Sequence, residues 1–397
     1  MRIIYPHPME FPNKKAHSIQ IINTCWALAG RGVEVILIVA KLGKKTVREC
    51  LDFYGLPEHP NLKIKGSTNK IGRKKFNLFV IREVWKHRKD KNIVLFFRDT
   101  KLAKLFIMLK WFLKVPCILE ADAPTSGYKS LLDKLNREGE QFSPIEKFKY
   151  LFRIWRHKNL EKFIYANADG IICQTEGIKK AICEDFSICS FIDVFPCAAK
   201  LMDRQFEEDA NNILYLGHLY PQKGVDILIE ALKYLPEGKL LIVGGNKKED
   251  ISRIKNLSSH IGVDKQVIFA GCVPHSDIGK YFNGAGVSVI PIMNTMGQRL
   301  FTSPMKLFEY MAAKIPIVAS DFPSMREILE NGKTAILIES ENPKALAEGI
   351  EKILTDRDLA RKICEQAYEK VKNFTWEKRA EKITIFLRNV LKTDKTQ

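Results

Sequence analysis

In the second half of the chain, short all-apolar runs alternate with stretches of helical periodicity. Asn212-Ile213-Leu214-Tyr215-Leu216-Gly217 is an apolar run closed by glycine, the pattern of a buried strand. The runs 239–243, 267–269, 287–290, 317–319 and 335–338 repeat it. Helical patterns over 225–234, 249–260, 276–283, 304–313 and 323–330 lie between them, and 343–354 and 356–372 close the series. Strands and helices alternating at this spacing predict βαβ units and a parallel sheet with helices on both faces. Strands this short and this apolar agree, because a doubly covered sheet hides both sides of each strand.

The first half repeats the pattern less regularly. Its strand candidates are 2–5, 33–39, 93–97, 116–120, 170–173 and 192–195, and Gly32 ends a helix over 19–31. A chain of 397 residues exceeds what one hydrophobic core usually supports. The fold class expected is therefore α/β, with two Rossmann-like domains joined near residues 198–211, where the stretch 203–212 is polar. In such sheets ligands bind beyond the carboxyl ends of the strands, and two sheets edge to edge would enclose a cleft.

Composition adds one strong signal. Apolar residues at 46% and charged residues at 28% are ordinary for a globular protein. No run reaches the ~20 apolar residues of a membrane span, and the start of the chain lacks a signal-peptide pattern, so a cytoplasmic location is expected. The nine cysteines are scattered without a Cys-x-x-Cys pair, so no metal site is expected. Charge is uneven: residues 1–200 hold 36 Lys and Arg against 20 Asp and Glu, and residues 201–397 hold 28 against 26. This asymmetry points to an anionic partner for the first half.

Two segments carry candidate chemistry. Gly217-His218-Leu219-Tyr220-Pro221-Gln222-Lys223-Gly224 is a glycine-flanked loop opening a helix. Free backbone N–H groups and the helix dipole favour an anion there, and Lys223 adds a full charge where a diphosphate would lie. An ordinary strand-to-helix turn with a solvated lysine is the plain alternative. In Ser303-Pro304-Met305-Lys306-Leu307-Phe308-Glu309, Pro304 suits the first helical position and Ser303 the N-cap. Lys306 and Glu309 then lie a turn apart, so a carboxylate could accept ribose hydroxyls while first-turn N–H groups meet a phosphate. A capped helix with an exposed Lys–Glu pair is the alternative.

From residue 212 to about 387 the chain resembles the family-four glycosyltransferases of the GT-B fold. The likeness rests on Gly217 with Lys223-Gly224, on Leu241-Ile242-Val243-Gly244-Gly245, on 267–273, and on 303–313 with Pro316-Ile317-Val318-Ala319-Ser320. The helix from Ser18 and the run Asn167–Thr175 of the first half are similar to the family's opening and its last strand before the linker. The resemblance implies that Lys223 binds the donor diphosphate and that Glu309 binds the nucleotide ribose. Backbone near Val273 would hold the base, and the helix start formed by Ser303, Pro304 and Met305 the phosphate region, with Gly217 and Gly244 lining the site. It implies domains at 1–199 and 200–374, with a last helix over 375–397 crossing back onto the first. The reaction implied is sugar transfer with retention, by a front-face route without a stable covalent intermediate or a metal. A nucleotide-diphosphate sugar is the co-substrate, and no other cofactor is expected. Lys223, His218, Lys306 and the amides would stabilise the leaving diphosphate, and domain closure would exclude water.

Three departures stand out. His218 occupies a place where the family often has Arg, leaving more of the phosphate neutralisation to Lys223. The first carboxylate of the family's Glu-x7-Glu motif would fall on Phe301. In Ile118-Leu119-Glu120-Ala121-Asp122 a histidine is replaced, and Glu120 or Asp122 is the candidate to touch the sugar. Basic, aromatic segments at 73–89, 101–114 and 145–162 suit an anionic membrane surface or a lipid-linked acceptor. They also suit a helical face with core aromatics and solvated charges. Nucleic acid ranks below, for want of a recognised binding motif. A nucleotide-sugar epimerase on the same fold and a non-catalytic nucleotide-sugar-binding partner remain the alternatives.

Overall fold

The computed structural model describes residues 1–121, 135–136, 142–188 and 191–393. The chain divides into two compact units, Met1–Pro196 with Trp376–Gln397, and Cys197–Thr375.

The first unit is built on seven parallel strands in the order β3-β2-β1-β4-β5-β6-β7. They are β1 (Arg2–Glu10), β2 (Glu34–Lys41), β3 (Leu62–Gly66), β4 (Ile93–Phe97), β5 (Cys117–Glu120), β6 (Gly170–Cys173) and β7 (Ile192–Val194). From β1 the chain steps outward to β2 and β3, then returns to β4 and proceeds to β7. Right-handed crossovers place helices on opposite faces for the two directions. Helices Arg73–His87, Thr100–Leu113, Pro144–Asn167 and Glu176–Phe186 accordingly pack side by side as one layer. On the other face Ala16–Gly30 packs against the last helix, Trp376–Thr393. β3 was not expected. Leu62-Lys63-Ile64-Lys65 alternates apolar and charged residues, as an edge strand with one wet face does.

The second unit holds six parallel strands in the order β10-β9-β8-β11-β12-β13. They are β8 (Asn212–Gly217), β9 (Lys239–Gly244), β10 (Val267–Gly271), β11 (Ala285–Ile290), β12 (Ile317–Ser320) and β13 (Ile336–Ile338). β8 shows why an all-apolar run was needed. Ile213 and Tyr215 join one core with Val225 and Leu228, while Leu214 and Leu216 join the other with Leu307 and Phe308. Successive side chains point to opposite faces, and both faces are covered. The helix expected over 276–283 is a 3-10 segment, His275–Tyr281, and that over 323–330 shortens to Pro323–Arg326. A short helix, Met296–Phe301, was not expected; six residues are too few to display helical periodicity.

Among the described residues no helix is long and apolar enough to cross a membrane.

Candidate functional site

In the second unit the crossovers diverge between β8 and β11, the point at which open parallel sheets hold ligands. β8 ends in Gly217 and β9 in Gly244, with φ of 126° and 138°. The two strands stay in register to these last residues, and the Gly245 N–H donates to Gly217 O at 3.1 Å. A Cβ on Gly244 would lie 2.0 Å from Gly217 O, so the strand ends can approach only without one. Gly244→Ala is therefore expected to cost about 1–3 kcal/mol from backbone strain alone, read as a lower melting temperature. Across the switch point, Gly224 (φ 68°) lets the loop after β8 touch the one after β11: a Cβ there would fall 1.6 Å from Pro291 O.

Lys306 enters this site from the second position of helix Met305–Ala312. Its Nζ is shielded from water and has no hydrogen-bond partner among the described residues. It lies 3.8 Å from the centroid of the Tyr215 ring and 3.7 Å from where a Gly217 Cβ would be. Burial pulls its pKa well below the usual lysine range; the Lys223 charge acts the same way and Glu309 opposes it. Lys223 Nζ donates to Gln298 Oε1 at 3.3 Å, and burial lowers its pKa too. Two interacting desolvated lysines, neither of them in an ion pair among the described residues, are costly unless an anion joins them.

Glu309 lies one turn further along the same helix and is buried. Its Oε1 faces His275 Nε2 at 2.8 Å, and Oε2 has no partner among the described residues. The exposed Lys–Glu pair is thus not what forms. His275 was missed in the sequence: a lone histidine 34 residues from Glu309 carries no local signal of the pairing. Val273 lies two residues before it, half-buried, where the chain turns out of β10 through Gly271 (φ 76°).

The helix start differs from expectation. Ser303 is not the N-cap: its Oγ accepts from the Cys197 N–H at 3.2 Å. Pro304 holds the cap position with no side-chain hydrogen bond, and Met305 is the first helical residue. The first-turn amides are left without a side-chain cap. His218 is half-buried, its ring stacked on Tyr220 with centroids 4.9 Å apart. Its carbonyl accepts from Tyr215 Oη at 2.6 Å. Phe301, at the position of the missing carboxylate, is buried.

Glu120 needs correction. In the first unit it is fully buried, and both carboxylate oxygens are engaged. Oε2 accepts from Tyr5 Oη at 3.0 Å, and Oε1 from Gln20 Nε2 at 2.8 Å and an Arg379 amino group at 2.6 Å. These bonds clamp the last helix to the sheet, and they engage the carboxylate within the core of the first unit. Asp122 lies outside the described residues. Among the described residues no three His, Cys, Asp or Glu side chains are grouped to hold a metal ion.

Comparison with known proteins adds to this geometry. Residues 200–370 match the family described as glycosyl transferases group 1. An uncharacterized glycosyltransferase of Methanocaldococcus jannaschii is 29% identical over 219 residues, 55% of this chain and 58% of that protein. The chain thus spans little more than half of that relative's length. Sucrose-phosphate synthase from Thermosynechococcus elongatus superposes with a TM-score of 0.75 at 20% identity, covering 99% of both chains. Anabaena HepE, solved in complex with UDP and glucose, gives 0.70 at 15% identity, covering 98% of this chain and 100% of that one. At such identities the likeness shows the fold: two Rossmann-like parallel-sheet domains of the GT-B type. Together with the family match, it supports a glycosyltransferase.

Proposed function

We propose that this chain is a retaining glycosyltransferase that moves a sugar from a nucleotide-diphosphate sugar to a hydroxyl of a glycan or lipid-linked acceptor. The setting proposed is cell-surface polysaccharide or glycolipid synthesis, peripheral to an anionic membrane. One observation carries the donor assignment: the Lys306 ammonium is buried at the switch point of the second sheet, beside Lys223, with no hydrogen-bond partner among the described residues. A diphosphate supplies the missing counter-charge. The complex of HepE with UDP and glucose supports the same donor class.

In this reading Lys306 and Lys223 neutralise the diphosphate, and the backbone N–H groups of Ser303 and Met305, on either side of Pro304, bond its oxygens. Glu309 accepts hydrogen bonds from the ribose, and backbone near Val273 receives the base. The anomeric C–O bond to the diphosphate breaks as the acceptor oxygen bonds to the same face of that carbon. The acceptor proton leaves with the diphosphate. The lysines provide charge where it grows in the transition state, so the reaction needs no metal ion.

A panel of nucleoside diphosphates screened by thermal shift tests the donor class, since a ligand that binds only the folded state stabilises it. Proton NMR of the product then gives the anomeric configuration. Glu309→Gln is expected to weaken ribonucleoside diphosphates about tenfold and their 2′-deoxy counterparts less. Equal losses for both would remove Glu309 from the ribose. Release of free, epimerised sugar in place of a glycoside would overturn transfer itself.

A further inference from the structure

Helix Pro144–Asn167 of the first unit carries an apolar stripe that faces water. Its start is well specified: Pro144 opens it, and Ser143 and Glu146 form a reciprocal capping box. Yet its buried residues are Glu161, Ile164 and Tyr165, all in the last third. The roughly 17 residues before them make ~25 Å of helix without a buried side chain. Ile145, Phe148, Phe152 and Trp155 share one face of that length and are 68%, 71%, 55% and 60% exposed. The Phe152 and Trp155 rings stack at 5.7 Å, so the stripe is continuous. Helical geometry puts Lys149, Arg153 and Arg156 along one border of it, and Lys147 and Lys158 along the other.

The neighbouring helices of the same layer carry exposed aromatic residues of their own. Trp111, near the end of helix Thr100–Leu113, is 93% exposed. Phe112 stacks on Trp85 of helix Arg73–His87 at 5.0 Å. The Arg88 guanidinium sits 3.2 Å over the Trp85 ring. All three basic, aromatic segments thus belong to one helix layer of the first sheet, which their positions in the chain do not reveal.

We propose that this layer docks on an anionic phospholipid bilayer through helix Pro144–Asn167. The helix lies in the interface plane, its aromatic stripe among the acyl chains and its bordering cations at the headgroup phosphates. Charge selects the occupant. The helix has six Lys and Arg against two Glu, and a rim of one sign complements an anionic leaflet. The proposal rests on the glycosyltransferase reading only in that a lipid-linked acceptor would be met at this surface.

Co-sedimentation of the full chain with phosphatidylcholine vesicles, with and without phosphatidylglycerol, tests it. Binding should require phosphatidylglycerol and fall at high salt. Each cation near an anionic leaflet contributes about fivefold to partitioning, so Arg153→Glu with Arg156→Glu should cut binding by more than about 25-fold. Phe148→Ser with Trp155→Ser should remove the binding that survives moderate salt. Parent protein that ignores phosphatidylglycerol vesicles at low salt would overturn the proposal. So would serine variants that bind like the parent, or a dimer dissolved by those substitutions in a protein that vesicles do not capture. All variants should keep the parent's melting shift with nucleoside diphosphate. No such shift in the parent would sink the donor assignment instead, and leave the vesicle result standing.

Discussion

Lys306→Met is expected to raise the melting temperature of the unliganded protein while weakening nucleoside diphosphate binding about 10- to 100-fold. The affinity loss is that of a charge-assisted hydrogen bond, about 1.5–3 kcal/mol. The stability gain follows from removing an ammonium that is shielded from water and unpartnered among the described residues, while an aliphatic chain of similar length keeps the contact with the Tyr215 ring. Opposite signs are the diagnostic. A lysine kept for structure would lose stability, and a solvated one would change neither quantity. Titration gives a second reading. The folded-state pKa of Lys306 is lowered, so between it and the ordinary value of about 10.4 the unfolded chain holds a proton that the folded protein has released. Stability should rise with pH through that window, the penalty being fully present below it. Lys306→Met should flatten this rise. Within the window, a bound diphosphate favours the charged lysine and takes up a proton, measurable by calorimetry in buffers of different ionisation enthalpy. A variant that melts lower and binds as before would refute the phosphate role.

The largest loss of stability is expected from Arg379→Ala, about 3–5 kcal/mol, because it strands a buried carboxylate. Arg379 bonds Glu120 at 2.6 Å, Thr24 Oγ1 at 2.8 Å and Pro196 O at 3.0 Å. Trp376, Ile383 and Leu387 of the same helix are buried, so the clamp and the apolar packing act together. Combining Arg379→Met with Glu120→Gln should restore most of the loss, since neither charge is then left alone. Urea denaturation of the two single variants and the double gives the coupling. The same series separates two roles for Glu120. If it is a clamp, the double variant regains transferase activity with stability. A double variant that is stable, binds nucleotide and stays inactive would return Glu120 to the reaction.

The second unit was the more legible half in the sequence. β8 to β13 are short, mostly apolar and punctuated by glycine, because a sheet covered on both faces admits few polar residues, and the hydroxyls of Ser288 and Ser320 that it does bury donate to backbone carbonyls. Gly217, Gly224 and the 303–313 segment were visible for a related reason: sharp turns and helix starts demand particular residues locally. The edge strand β3 escaped because its lysines face water. The helix Met296–Phe301 escaped because it is too short for a period to show. Ser303 escaped for a different reason: a serine before Pro-x-Lys looks like a cap, but the backbone N–H of Cys197, 106 residues earlier in the chain, donates to its hydroxyl.

The residues themselves carried the order of strands and helices, the place of the loops at strand ends, and the uneven charge. Those properties come from periodicity and composition, which are local or additive along the chain. Tertiary structure alone decided which charges would be paired. It gave Glu309 a histidine 34 residues away and Glu120 an arginine 259 residues away. It also left Lys306 without a partner among the described residues and turned the stripe of helix Pro144–Asn167 to water. Pairing and exposure depend on distances between side chains far apart in sequence, and only the folded chain sets those distances.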